Sequence, residues 1–459
     1  MQRWSKIVTP IHSAAAMPKT QAFMIAAYAA AMLLLVLLFS GRPAFAQAAA
    51  PAAPAPPPPK VLLFGHLVDA NGKLQSDVAV VVENGRIKSM GDKSAAPSNV
   101  EVVDLSRYTA IPGLIDVHTH LPGPASNPSF NPRGTVTLRP ARPAAVDMFL
   151  AQPAAKAMLE HGVTSVRNLG AIEFADIAMR DLINMGAIVG PRMFVSGPGL
   201  RSSSGVGLQI PEVTVDSVAE ARRAVRYLVE NGVDCIKIFA STGGGVDVSG
   251  IPTFRPEELA AAIAAAHVLK HKVAVHSYGP IAAHDAVFAG TDTLEHAVDI
   301  DDATIAEMKR GGIIYVPTID HNRFYMEHTA RTDQDKANLQ DYINRNVETA
   351  RRVHKAGVRI ATGSDGGGTL MIGETTRELG YLVKAGMTAG EALTAATVNG
   401  AAVLGKENEL GKLAPGYIAD IVAVDGNPVA DVNVTINKVR WVMKGGAVMI
   451  DRTKETAAR

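Results

Sequence analysis

Four histidines, a lysine and an aspartate hold most of the chemistry available to this sequence. His118 and His120 stand two residues apart, and Lys237, His276, His296 and Asp365 follow singly, each in or at the end of a short apolar run. The period-two geometry of a strand turns both imidazoles of Ile115-Asp116-Val117-His118-Thr119-His120 to one side. Two neutral imidazoles on one rigid strand suit first-row metals. Asp116 shares that side, either as an acceptor behind the ligands or as a buried structural carboxylate. Lys237 interrupts Cys235-Ile236-Lys237-Ile238-Phe239-Ala240, where an unpaired ammonium is costly. Snorkelling or an ion pair would account for it. So would loss of its proton and uptake of carbon dioxide, giving a carbamate whose two oxygens bridge two metals. Taken singly, each residue is more often structural; the ordered set points to a two-metal site.

Such a set must be positioned by elements that converge. Eight short β-like runs, at 114–118, 164–169, 192–196, 235–240, 272–276, 291–297, 313–319 and 359–362, alternate with helical stretches. Five of the runs follow a glycine that can end the preceding helix: Gly162, Gly232, Gly290, Gly312 and Gly357. Eight βα units in residues 113–405 predict an α/β fold of the (β/α)8 TIM-barrel type, with the six residues at one lip. An open doubly wound sheet is the rival, but no Gly-x-Gly-x-x-Gly turn follows the first run. Further β-like runs flank the barrel, at 61–68, 78–82 and 100–104 and again at 418–424, 439–442 and 448–450. Asn71-Gly72, Asn84-Gly85 and Gly445-Gly446 supply turn signals. They predict a small β-sandwich domain built from both chain ends, 60–112 with 406–455.

With the strands numbered, the sequence resembles the amidohydrolase superfamily in its binuclear, carboxylated-lysine form. The carriers are Ile111-Pro112-Gly113-Leu114-Ile115-Asp116-Val117-His118-Thr119-His120, the strand around Lys237, Leu294-Glu295-His296, Thr362-Gly363-Ser364-Asp365 and the closing Leu413-Ala414-Pro415-Gly416-Tyr417-Ile418-Ala419-Asp420-Ile421-Val422. They are most similar to the imidazolonepropionase-like and Xaa-Pro dipeptidase-like branch, which includes carboxypeptidases of dipeptides and N-acyl amino acids and enzymes that cleave the amide of ochratoxin. The resemblance implies that His118, His120 and Asp365 ligate one divalent metal and His276 and His296 a second. Carboxylated Lys237 and a hydroxide would bridge the two. Zinc suits imidazole and oxygen donors. Asp365 is then the catalytic residue, taking a proton from the nucleophile and passing it to the leaving amine. Where some members carry a second histidine on the fifth strand this chain has Tyr278, either a substrate or oxyanion contact or a packed phenol.

The expected function is hydrolysis of the amide of a small dipeptide, N-acyl amino acid or related, ochratoxin-like amide. The same metals acting on cyclic amides or lactones, and a scaffold without catalysis, are the alternatives; a mononuclear deaminase would leave Lys237 without a role. Substrate recognition is weakly written. A lip loop holding His321, Arg323 and Tyr325 offers a guanidinium for a free carboxylate, as does Arg201 after the third run; an ordinary solvated loop is the bland account. Thr242-Gly243-Gly244-Gly245 is no phosphate loop, since no Gly-Lys-Ser/Thr follows. Residues 122–143, rich in Pro, Gly and Asn, form either a lid or a long surface loop.

The N-terminus has its own logic. Arg3, Lys6 and Lys19 precede an apolar run at 22–39, and Ala44-Phe45-Ala46 offers a small-residue cleavage site, so residues 1–46 are expected to be a signal peptide, with translation starting at Met1 or Met17. A periplasmic or secreted protein follows, meeting a membrane only if that segment stays uncleaved. An Ala/Pro-rich linker occupies 47–59. The 459 residues carry 45 Lys and Arg against 44 Asp and Glu; losing Arg3, Lys6, Lys19 and Arg42 leaves 41 against 44, a net −3, which points to no nucleic-acid partner. Cys235 is the only cysteine, so no intrachain disulfide forms, and it is expected as an inert buried thiol rather than a nucleophile. Barrels of this kind are compatible with a homo-oligomer.

Overall fold

The computed structural model describes residues 59–95, 100–122, 143–205, 210–367 and 371–454, with the pairing of β6 (Ser129–Phe130) and β7 (Val136–Thr137) between them. The expected signal peptide, nearly all of the linker and most of segment 122–143 lie outside these residues. Among the described residues no helix is long and apolar enough to cross a membrane.

Both ends of the described chain enter one seven-stranded sheet. Its members are β1 (Lys60–Val68), β2 (Leu74–Glu83), β3 (Arg86–Asp92), β4 (Glu101–Pro112), β14 (Ile421–Val424), β15 (Val439–Lys444) and β16 (Ala447–Asp451), in the order β16-β15-β14-β4-β1-β2-β3. β1 and β4 pair in parallel and the other contacts are antiparallel. Alternation sorts the side chains of β14: Ile421 and Ala423 join a small core with Leu62, Phe64, Trp441 and Met443, while Val422 and Val424 face the larger core of the chain. Burial on both faces explains why this strand reads as an unbroken apolar run.

Seven more strands are parallel to their neighbours. β5 (Leu114–Thr119), β8 (Val163–Asn168) and β9 (Arg192–Val195) form one sheet; β10 (Cys235–Phe239), β11 (Lys272–Ser277), β12 (Thr293–His296) and β13 (Ile314–Val316) form another. Backbone hydrogen bonds continue between them, from Asp234 N to Val195 O at 2.7 Å and from Leu200 N to Lys237 O at 2.8 Å. The expected eighth strand at 359–362 forms no regular strand. It makes a single bridge from Ile360 to Tyr315, and its last residue and the turn that follows meet β5 through Val117 N to Thr362 O and Asp365 N to His118 O. The contact continues past the positive φ of Asp365, +54°, through a bridge from Gly366 to Thr119.

Helices fill the connections, and their ends follow the sequence signals. Ser217, Asp301 and Thr332 cap the helices Val218–Glu230, Asp302–Gly311 and Asp333–Lys355. The five glycines expected to end helices have φ between +68° and +85°. One expectation fails: the segment with His321, Arg323 and Tyr325 is not a loop but lies in the helix Ile319–His328. Its first two N–H groups, of Ile319 and Asp320, donate to the buried Glu378 carboxylate at 3.0 and 2.8 Å. That cap is 58 residues downstream, so no local signal announces it.

The sheet and the parallel strands are tied by charge. Arg192 of β9 pairs with Asp420 beside β14, Nη1 to Oδ2 at 2.6 Å, and Asp420 also accepts from Gly445 N at 2.8 Å.

Candidate metal centre

The C-terminal ends of β5, β10, β11 and β12 and the turn at 363–366 bring all six expected residues together. His118, His120 and Asp365 offer ligand atoms within 4.8 Å of one another. His120 Nε2 lies 2.9 Å and His118 Nε2 3.5 Å from Asp365 Oδ1. The His296 ring centroid is 4.7 Å from that of His118 and 4.6 Å from that of His276. Lys237 Nζ lies 3.3 Å from His118 Nε2, and no carboxylate among the described residues stands in ion-pair contact with it.

The backbone is bent to achieve this. His296 and Asp365 have φ of +70° and +54°, a left-handed conformation that costs a non-glycine residue roughly 1–2 kcal/mol. The turn at His296 breaks the strand's alternation, so that Glu295 and His296 both reach the interior, where both are buried. Gly363 permits the approach of the last turn to β5. A Cβ there would stand 2.6 Å from His118 Cβ and from Val316 Cγ1. Gly363→Ala is expected to displace His118 and destabilise the fold by about 1–3 kcal/mol; an unchanged denaturation midpoint with full metal content would contradict this packing.

Protonation suits ligation. Burial pushes His118 down to about 4 and His276 and His296 well below the usual imidazole range, so these rings are neutral at neutral pH. Thr318 Oγ1 donates to Pro317 O and therefore accepts from His296 Nδ1 at 2.6 Å, leaving His296 Nε2 with its lone pair. His276 Nε2 is buried without a hydrogen-bond partner. Burial alone would raise Asp365, but His321, His118 and His120 outweigh it and hold the carboxyl well below its ordinary range. Burial brings Lys237 down to about 8, which favours the neutral amine that carbamate formation requires. Lone pairs from neutral imidazoles, the orphaned His276 Nε2 among them, and one carboxylate fit divalent cations.

Asp116 proves to be a structural acceptor: its Oδ1 takes the N–H groups of His118 at 3.2 Å and Ser364 at 3.0 Å, binding strand to turn. Cys235 is buried, and burial raises its thiol to about 12, as expected of an inert residue.

The substrate candidates divide. His321 belongs to the centre, with Nε2 3.3 Å from Asp365 Oδ2 and Nδ1 3.1 Å from Asp365 O. Tyr278 packs beside His276 and His296, 5.2 Å from each ring, and stacks on Tyr342. Tyr325 adjoins His321 at 4.7 Å. Arg201 lies 3.8 Å over the Phe239 ring, which Lys237 Nζ also faces at 5.0 Å. Arg323 is already engaged within the chain. It pairs through both Nε and Nη2 with Asp320, and also with Glu327 and Glu374, so its fork is already committed to this chain's own carboxylates.

Sequence reasoning also missed residues behind the ligands. Glu295 Oε2 lies 2.7 Å from His118 Nδ1, and Arg167 Nη2 lies 2.9 Å from Glu295 Oε1. Arg167 is less conspicuous than Lys237, because its strand, Val163–Asn168, already carries Thr164, Ser165 and Asn168.

Known proteins resemble this chain in sequence and in fold. The sequence profile of the amidohydrolase family matches residues 109–449. Ochratoxinase of Aspergillus niger is 30% identical over 423 residues, covering 84% of this chain and 85% of that protein. Imidazolonepropionase of Caldanaerobacter subterraneus subsp. tengcongensis is 24% identical over 409 residues, 80% of this chain and 88% of that one. A crystal structure of a Xaa-Pro dipeptidase with methionine bound in its active site superposes with a TM-score of 0.74 at 28% identity, covering 85% of this chain and 99% of that chain.

Proposed function

We propose, from the premise that this chain belongs to the amidohydrolase family and is a hydrolase of carbon–nitrogen bonds, that it cleaves the amide of small dipeptides, N-acyl amino acids or ochratoxin-like compounds with two divalent ions. The observation that carries this reading is the convergence of the buried, neutral imidazoles of His118, His276 and His296 with His120, the ionised Asp365 and Lys237. His118, His120 and Asp365 would hold one ion and His276 and His296 the other, with Lys237 carboxylated between them. Zinc is the ion these donors favour. Bound there, the ions supply a water that ionises near neutral pH and polarise the scissile carbonyl.

The chain's own groups do the rest. Asp365, steadied by His120 and His321, takes the proton of the attacking water and delivers it to the leaving amine. Arg201, over the Phe239 ring near Lys237, would supply a cation for the carboxylate of an amino-acid product. The methionine in the active site of the dipeptidase relative supports an amino acid as one product.

The ring of backbone bonds through β5, β8 to β13 and residues 359–366 supports a closed (β/α)8 barrel. Its companion is a small β domain built from both ends of the described chain, one seven-stranded sheet with a core of Leu62, Phe64, Trp441 and Met443. The composition of residues 1–46 supports export to the periplasm or beyond.

A library of dipeptides and N-acyl amino acids assayed with the zinc-loaded protein tests the reading. Turnover that vanishes on chelation and returns with metal, at two ions per chain, is expected. Two bound ions with turnover of cyclic amides or lactones only would replace the substrate class.

A further inference from the structure

We propose that Arg167 is a positioning residue of the metal centre, gripping the backbone and the side-chain partner of His118 together, so that Nε2 of His118 is the ligating atom and is held at one place. The proposal rests on the two-metal reading above.

Arg167 is among the largest fully buried side chains of the protein, and Glu295 and Thr293 beside it are buried as well. A guanidinium in such a place needs acceptors for its donors, and the acceptors it has are informative. Nε donates to Val117 O at 2.7 Å, Nη1 to Thr293 Oγ1 at 3.1 Å and Nη2 to Glu295 Oε1 at 2.9 Å. Val117 O belongs to the peptide group that ends in the His118 nitrogen. One side chain therefore holds the main chain just before His118 and the carboxylate that meets its ring.

Glu295 divides its oxygens between the two tasks. Oε1 takes Arg167 and a short hydrogen bond from Thr293, while Oε2 lies 2.7 Å from His118 Nδ1. A carboxylate there accepts, so Nδ1 carries the proton and Nε2 faces Lys237 and Asp365 with its lone pair.

The connection also bypasses the sheet. β12 pairs with β11 and β13, and β5 pairs with β8, so no ladder joins the strand of Glu295 to that of His118. Arg167, on β8, spans that interior directly. A planar fork with donors in fixed directions can meet three acceptors on two strands; the single ammonium of lysine cannot keep that geometry.

The test uses the full protein, with metal affinity read by competition against a chromophoric chelator and the His118 tautomer by nitrogen NMR of the zinc form. Arg167→Ala is expected to weaken one of the two metal equivalents by about 10–100-fold, to disturb the His118 Nδ1–H signal, and to be partly restored by added guanidinium. Arg167→Lys should restore less than guanidinium does. If Arg167→Ala does not fold, Glu295→Gln is measured instead, with the same selective weakening expected. Wild-type protein that binds no metal defeats the two-metal reading. Wild-type protein that binds two while the variant keeps both affinities, or loses both equally without guanidinium rescue, defeats the role of Arg167 alone.

Discussion

Replacing Asp365 by asparagine is expected to lower kcat by about 10²–10⁴-fold, the usual contribution of a positioned acid–base group, with a much smaller change in KM. Asparagine is the informative substitution because residue 365 has φ +54°, a conformation that asparagine tolerates about as well as aspartate. The turn against β5 and the contact of Asp365 N with His118 O therefore survive. What disappears is the negative charge that His321, His118 and His120 hold in its ionised form. Metal content measured beside the kinetics separates lost proton transfer from lost ligation. A variant with both ions and less than a tenfold drop in kcat would remove Asp365 from the proton path.

The second large effect concerns Lys237. Lys237→Ala is expected to lose metal and to retain less than about 1% of activity, the scale of loss when the groups that hold a catalytic ion fail. Short carboxylic acids added to the variant should restore part of both, by placing two oxygens where a carbamate on Lys237 would stand. An indifferent variant with full metal would return Lys237 to the role of a mere buried charge. Stability should move the other way. Burial lowers Lys237 to about 8 from an ordinary 10.5, so between those values the unfolded chain binds more protons than the folded one. The penalty of keeping the group buried is complete below about pH 8 and fades as pH rises towards 10.5. Lys237→Met is therefore expected to raise the melting temperature of the metal-free protein at neutral pH, and a lowered one would argue that the amine is better solvated than its surroundings indicate. Function is retained here at a cost in stability.

The site was more legible in the sequence than the elements around it. Its side chains belong to strand ends, where an imidazole or an ammonium interrupts an apolar run and is conspicuous. Glu295 is a polar interruption too, but a strand's alternation assigns it to the face opposite His296, and only the positive φ at His296 brings both inside. β3 carries little signal although Asn84-Gly85 marks its turn, because Arg86–Asp92 is a polar edge strand in which only Ile87 is buried. The helix Ile319–His328 has the sequence of a loop because its cap, Glu378, is distant in sequence and near only in space. The commitment of Arg323 was unreadable for the same reason in part: Glu327 is a helical neighbour, but Glu374 is 51 residues away. Periodicity reveals which residues face inward; it does not reveal which of them meet.

The pairing of β4 with β14 joins Ile111 to Val422 and Ala110 to Ala423, and that separation has a consequence in time. At about 5–20 residues per second of synthesis, β4 precedes its partner by roughly 15–60 s. Throughout that interval one edge of β4 has its hydrogen-bonding groups unsatisfied, and an open apolar edge invites pairing with other chains. The metal-binding strands all emerge within the same wait. A nascent chain can thus collect every ligand of its centre before it can close the sheet beside them, which makes the last strands the ones that end its exposure to aggregation.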